Sequence, residues 1–152
     1  MKYYFDTNSD GYLSKKEQNN AALISAKYWK ISSFKGIKYF PNLKYLDCGH
    51  NNLTSLDLSG NKKLEKLNCD YNKLTALSTG NTPKLRTLYC GNNSLKTLNV
   101  SKSRSLQKLF CKPNKLTKLD VRKNKKLTAK GGIIDADKGC LLYTSDAADD
   151  KA

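Results

Sequence analysis

The stretch LKYLDCGHNNLTSL, residues 43–56, decides the fold once it is laid against the rest of the chain. Its fixed points are Leu43, Leu46, Cys48, Asn51, Leu53 and Leu56. Moved on by 21 residues they become Leu64, Leu67, Cys69, Asn72, Leu74 and Leu77. Two further moves give Leu85, Leu88, Cys90, Asn93, Leu95 and Leu98, then Leu106, Leu109, Cys111, Asn114, Leu116 and Leu119. So many columns in strict register define a repeat, and a step of this size marks a chain that winds as a solenoid.

Each column has a physical reason. Side chains alternate across a strand, so Leu46 and Cys48 face one way and Tyr45 and Asp47 the other. The leucines stack as an interior row, and the cysteines form a small apolar layer beside them. The Asn column falls where the chain must turn. A buried amide there is expected to satisfy backbone groups of its own turn and the next. Successive strands pair in parallel at about 4.8 Å. No single turn buries its apolar face, so stability requires stacking.

The pattern LxxLxCxxNxL resembles the leucine-rich repeat, in the short Cys-containing form of bacterial surface proteins. Residues 43–127 match it over four units. The stretch KISSFKGIKYFPNL fits one coil earlier at a 22-residue step, with Ile31 and Phe34 in the Leu53 and Leu56 columns, Ile37 beyond them, and Ile24 ahead of Leu46. This segment is similar to the N-terminal cap of internalin-like proteins, closed by Phe40 and Pro41. The resemblance implies an α/β solenoid, mostly strand and loop, with a parallel ladder and a short helical cap. It also implies a non-enzymatic binding module, secreted or at the cell surface. We expect a solenoid over 23–127 and an irregular tail over 128–152. Within that tail, CLLYTSDAADD resembles the translation of a transposase sequencing adapter, so 140–152 reads as an artefact. The natural protein is expected to extend further at both ends.

The four cysteines in register read as reduced structural thiols. Ladder neighbours hold Cβ atoms about 4.8 Å apart, whereas a disulfide prefers ~3.8 Å. A ladder spreads ligands along a line, while zinc needs them to converge. His50, the one histidine, has no acidic partner placed by the pattern, and no catalytic constellation emerges.

DTNSDGYLSKKE, residues 6–17, has the spacing of a calcium loop. Asp6, Asn8 and Asp10 fill the first three ligand positions, and Gly11 makes the sharp turn. Tyr12 offers its carbonyl, Ser14 acts at the ninth position, and Glu17 closes the site with both oxygens. The second reading is a capping box, with Ser14 capping a helix and Glu17 as its partner; the two are compatible. Residues 1–22 are thus expected to be a calcium-bound lid over the solenoid's open N-terminal edge. The affinity expected is that of a weak extracellular site, roughly 10⁻⁵–10⁻³ M.

Outward columns carry the remaining signal. Tyr71, Tyr89 and Phe110 are expected to form a diagonal aromatic patch, with Tyr45, Lys66 and Lys108 beside it, on the concave face. Exposed aromatics among cations suit a protein or glycan partner. The chain carries 28 basic and 13 acidic residues, a net +15. The excess is nearly all Lys rather than the Arg that reads phosphates bidentately. Many of the lysines fall in loops, where solvated charge is the bland reading. Specific nucleic-acid binding is not expected. The alternative function is Lys-driven attraction to a polyanion, a wall polymer or nucleic acid. No stretch reaches the ~18 apolar residues of a membrane span, and the start MKYYFDTNSDGY lacks an apolar signal region. The expected state is a monomer.

Overall fold

The structure, a computed structural model, describes residues 14–144. It begins with helix α1 (Lys15–Asn20), which leads into strand β1 (Leu23–Ser25). A 3-10 turn (Ile37–Tyr39) comes next in the first coil. Then come β2 (Tyr45–Asp47), β3 (Lys66–Asn68), β4 (Ala76–Ser78), β5 (Thr87–Tyr89), β6 (Thr97–Asn99), β7 (Lys108–Phe110) and β8 (Lys118–Asp120). A short helix α2 (Lys125–Thr128) precedes β9 (Ile133–Asp135) and β10 (Leu141–Tyr143).

The principal sheet has six parallel strands in the order β1-β2-β3-β5-β7-β9. Its register keeps the repeat: Ile24 pairs with Leu46, Leu46 with Leu67, Leu67 with Leu88, and Leu88 with Leu109. On the opposite side β4 pairs with β6 and β8 with β10, also in parallel. Between these layers lies one continuous core. Leu67, Leu88, Leu109 and all four ladder cysteines are 0–2 % exposed. The first coil fills the same columns with Ile24, Phe34, Ile37 and Phe40, all buried, and Ile31, which is partly buried.

The Asn column works as a ladder, with one difference from expectation. Asn72 Nδ2 donates to the carbonyls of Cys69 (3.1 Å) and Asp70 (3.2 Å) in its own turn. It also reaches Cys48 O (3.0 Å) in the preceding turn, and its Oδ1 accepts from Leu53 N (2.9 Å) there. Asn93 repeats the pattern on Cys69 O and Leu74 N, and Asn114 on Cys90 O and Leu95 N. Each amide therefore ties its turn to the one before it rather than to the one after. Each cysteine carbonyl from Cys48 to Cys90 accepts from two successive asparagines, so the chain of bonds runs unbroken along the axis.

A second buried polar column lies in the turns that return to the principal sheet: Asn61, Thr82, Ser103 and Asn124, each 0 % exposed. Asn61 Nδ2 bonds Ile37 O and Phe40 O, and Asn124 Nδ2 bonds Val100 O and Ser103 O. Ser103 Oγ lies 2.7 Å from Thr79 Oγ1 and 2.9 Å from Thr82 Oγ1, so hydroxyls take over where amides are missing.

The tail departs from expectation. Residues 128–144 do not leave the solenoid but complete another turn. Ile133 pairs with Lys108 and Ile134 with Leu109 in the principal sheet, and Leu142 pairs with Leu119 on the other side. The repeat escapes a search at constant step because β9 arrives four residues later than a 21-residue step would place it. Helix α2 and the turn after it occupy those extra residues. Ala136, partly buried, stands in the Cys column. Residues 145–152, most of the adapter-like stretch, lie outside the described residues.

Candidate functional site

The outer surface of the principal sheet, expected to be the concave face, is made by its outward residues. Inward leucines are fixed by burial, so their neighbours are forced outward: Leu23 and Ser25, Tyr45 and Asp47, Lys66 and Asn68, Thr87 and Tyr89, Lys108 and Phe110. All of these are exposed or half-buried. Across β1 to β5 the surface dips into a groove of about 510 Å³. Leu23, Tyr45, Lys66 and Tyr89 form part of its lining, with Asp47, Asn68 and Asp70 along one side.

Two aromatic stacks stand near this groove, and one of them reaches it through Tyr89. Tyr89 and Phe110 lie face to face, ring centroids 4.8 Å apart and 5° from parallel, with Lys66 Nζ 5.6 Å from the Tyr89 centroid. At the end of the strands His50 sits between Tyr28 (4.4 Å) and Tyr71 (4.1 Å). The single diagonal patch expected from the sequence is therefore divided, because Tyr71 stacks on His50. The cause is backbone geometry. Tyr28, His50, Tyr71 and Asn92 all have positive φ, 66°, 52°, 54° and 48°. This left-handed residue costs about 1 kcal/mol or more when it is not glycine. It lets the amide of Tyr28, His50 and Tyr71 reach a carbonyl of the next turn, Gly49, Asp70 and Gly91 respectively. The rings then pile at the edge rather than over the strands.

The polar side is equally ordered. Asp47 Oδ1 accepts from Gly49 N (3.0 Å) and Asn68 Oδ1 from Asp70 N (3.0 Å), each closing a short side-chain turn. Asp70 Oδ1 accepts from Gly91 N at 2.6 Å, across turns. Burial pushes the Asp70 carboxyl above its usual range, while the Gly91 amide, His50 and Lys27 pull it back. Gly91 has no room for a side chain: a Cβ there would stand 2.3 Å from Lys112 O.

The ladder thiols offer no nucleophile. All five cysteines are unpaired. Burial, the largest cause, pushes Cys48 and Cys111 up to about 12, and Cys69 and Cys90 well above the ordinary range. Cys48 Sγ and Cys69 Sγ donate instead to Asn68 O (3.3 Å) and Tyr89 O (3.4 Å) in the next turn.

Of the residues expected to hold calcium, Asp6, Asn8, Asp10 and Tyr12 lie outside the described residues. Ser14 and Glu17 form a full capping box: Glu17 N donates to Ser14 Oγ (3.3 Å), and Glu17 Oε2 accepts from Ser14 N (2.9 Å) and Ser14 Oγ (2.8 Å). Glu17 is 5 % exposed. A carboxylate buried to this degree requires such partners. The residues expected to meet a partner fall into two groups. Tyr45, Lys66 and Tyr89 line one groove, Phe110 extends it, and Lys108 lies beside Phe110 on β7, whereas Tyr71 belongs to the edge stack. Sequence reasoning missed Tyr28, 64 % exposed, and Trp29, 48 % exposed, in the first coil. The signal was the 22-residue step, which places Tyr28 in the His50 column.

Stacked parallel turns, an inward leucine row and a buried Asn ladder are the architecture of leucine-rich repeats, and the chain has that fold. Models described as leucine-rich repeats match it over residues 41–79, in two copies, and over 112–133. The second match runs past Leu127, where the constant-step pattern ends. Among solved structures it is similar to the functional domain of InlJ from Listeria monocytogenes, described as including a cysteine ladder. The two are 37 % identical with a TM-score of 0.72, over 75 % of this chain and 25 % of that one. The chain thus spans about a quarter of that domain's length. No curated protein matches it significantly. No helix among the described residues is long and apolar enough to cross a membrane.

Proposed function

We propose that the chain is part of an extracellular or surface-exposed bacterial protein, and that its concave sheet binds a protein partner. The observation that carries this reading is the preformed Tyr89–Phe110 stack at the groove, with a second aromatic stack at the end of the strands. Rigid exposed aromatics are the commonest anchors of protein interfaces, and stacking has already fixed their rotamers, which lowers the entropic cost of binding. Asp47, Asn68 and Asp70 then give the groove a polar rim of fixed orientation. The likeness to an internalin domain supports the same reading.

The test uses a photo-crosslinking residue in place of Tyr45 or Tyr71, and in place of Lys96 on the opposite side. Partner adducts are expected from the first two sites. Tyr45→Ala combined with Phe110→Ala is expected to weaken binding of the captured partner at least about tenfold. Adducts arising equally from position 96 refute the concave assignment.

Calcium belongs to the same proposal. Asp6, Asn8, Asp10, the Tyr12 carbonyl, Ser14 through water, and Glu17 would hold the ion. Its role there is to order α1 as the lid of the solenoid. The Ser14–Glu17 pairing supports this, since the ninth and twelfth loop positions stand together at the helix start.

A further inference from the structure

The surplus positive charge is concentrated on one edge of the solenoid. The turns that return the chain to the principal sheet are SGNKK (59–63), GNTPK (80–84), SKSRS (101–105) and RKNKK (122–126). Together they carry Lys62, Lys63, Lys84, Lys102, Arg104, Arg122, Lys123, Lys125 and Lys126, and no Asp or Glu. All nine are exposed. Among the described residues only Arg122 has a carboxylate within ion-pair distance, Asp120 at 2.8 Å. The turns on the opposite edge, 49–52, 70–73, 91–94 and 112–115, carry Lys73, Lys112 and Lys115 against Asp70. The asymmetry is one of fold and not of composition alone.

The edge is also regular. Its turns are pinned by the buried column Asn61, Thr82, Ser103 and Asn124, and stacked turns advance by about 4.8 Å each. The result is a row of exposed cations, one to four per turn, stacked turn upon turn. Eight of the nine have no carboxylate within ion-pair distance among the described residues, so they repel one another until an anion with its own linear charge arrives. No aromatic residue lies in these four segments; the exposed Tyr39 of the first coil and Tyr143, whose ring lies 6.0 Å from the Arg122 guanidinium, stand at the two ends of the edge rather than along it. Single-stranded nucleic acid is gripped by aromatic platforms alongside cations, and among the described residues no ring stands between the first and last of these basic turns. Lysine dominates, and it meets phosphate as a point charge rather than by a bidentate fork.

We infer that this edge is a second binding surface, for a flexible linear phosphodiester polymer that lacks bases, such as a chain of alditol phosphates. It lies along the axis, away from the concave groove, and reads charge density rather than sequence. An anchored polymer would hold the solenoid in place while the groove stays open.

The experiment measures binding of fluorescently labelled poly(glycerol phosphate) by anisotropy over a salt series. Three chains are compared: the unmodified chain; an edge variant with Lys84→Gln, Lys102→Gln, Lys123→Gln and Lys125→Gln; and a control of equal net charge with Lys73→Gln, Lys96→Gln, Lys115→Gln and Lys118→Gln. All eight positions are exposed, so thermal melts are expected to agree. The edge variant should bind at least about tenfold more weakly, with the slope of log K against log salt shallower by about 3. The control should stay within about twofold of the unmodified chain. Equal weakening in both variants shows that net charge alone attracts the polymer and overturns the proposal. So does unchanged binding in the edge variant. An oligo(dT) strand that binds as tightly as the phosphate polymer overturns the choice of occupant in favour of nucleic acid.

Discussion

Replacing Asn72 with alanine removes the amide that joins two turns of the solenoid at four backbone points. The structure allows the loss to be worked out group by group. Leu53 N loses its acceptor at 2.9 Å, and Leu53 is itself fully buried. An orphaned buried N–H costs about 1–3 kcal/mol. Asp70 O, the longest of the four contacts at 3.2 Å, keeps the His50 amide and adds little, while Cys48 O and Cys69 O keep one asparagine each, from Asn51 and Asn93, so they lose half of their side-chain partners. That adds about 0.5–1 kcal/mol apiece. The sum is about 3 kcal/mol, or a fall in melting temperature on the order of 10 °C for a domain of this size. Asn52→Ala is the control. Its side chain is half-exposed, and only its backbone amide, bonded to Ile31 O, takes part in the turn. It should change stability by no more than about 0.5 kcal/mol. Urea unfolding monitored by circular dichroism gives the free energies. Hydrogen exchange at the Leu53 amide gives the local answer, because that proton should lose protection first. If Asn72→Ala costs no more than Asn52→Ala, or if Leu53 stays protected, the Asn ladder does not carry the stability assigned to it.

The ladder thiols predict a steep alkaline limit. A thiol whose folded value is raised from 9.0 to about 12, as for Cys48, keeps its proton preferentially in the native state. Its contribution is intact below about pH 9 and falls by about 1.4 kcal/mol per pH unit as pH rises toward 12. Cys48→Ala should therefore flatten the alkaline stability profile by that slope, measured by urea titration at several pH values. Gly49 and Gly91 share a repeat column, yet Gly91→Ala drives a Cβ to 2.3 Å from Lys112 O, whereas at Gly49 the nearest atoms are side-chain atoms at 3.3 Å. The first variant should lose about 1–3 kcal/mol and the second much less, by the same unfolding assay. Chelation should lower the melting temperature of the unmodified chain, and Asp6→Asn with Asp10→Asn should abolish that response while the Ser14–Glu17 box remains. A melt insensitive to EDTA removes the calcium lid.

The interior of this fold was legible because every turn repeats the same demand. Leu67, Cys69, Leu88 and Cys90 each answer one position of the pattern, and each is fully buried. The second polar column was harder to see. It runs Asn61, Thr82, Ser103, Asn124, and its side chains share hydrogen-bonding capacity but not identity. The last turn was missed for a different reason: Ile133 keeps the register of Lys108 although the intervening chain is longer. Tyr45, Lys66, Tyr89, Lys108 and Phe110 stand on the outward face because strand alternation requires it. How the rings group was not legible. Whether Tyr71 stacks on His50 or Tyr89 depends on a left-handed backbone residue, and alternation says nothing about φ.

The two polar columns also explain where the repeat tolerates variation. One column, Asn51 to Asn114, fixes the chain as it leaves the principal sheet; the other, Asn61 to Asn124, fixes it as it returns. Extra residues placed between a column and the leucine next after it would pull buried amides from their carbonyls. In the last described turn they enter after Asn124 and Leu127, both still buried, and before Ile133. Asn124 keeps its bonds to Val100 O and Ser103 O, and the sheet regains register one strand later. Length can therefore change just past the basic edge, between Leu127 and Ile133, without disturbing either ladder. Charge can change at the edge itself, because Lys62, Lys84, Lys102 and Lys123 have no part in the hydrogen bonds that hold the turns together. A solenoid held from inside by amides and leucines leaves that edge free to vary with what it touches.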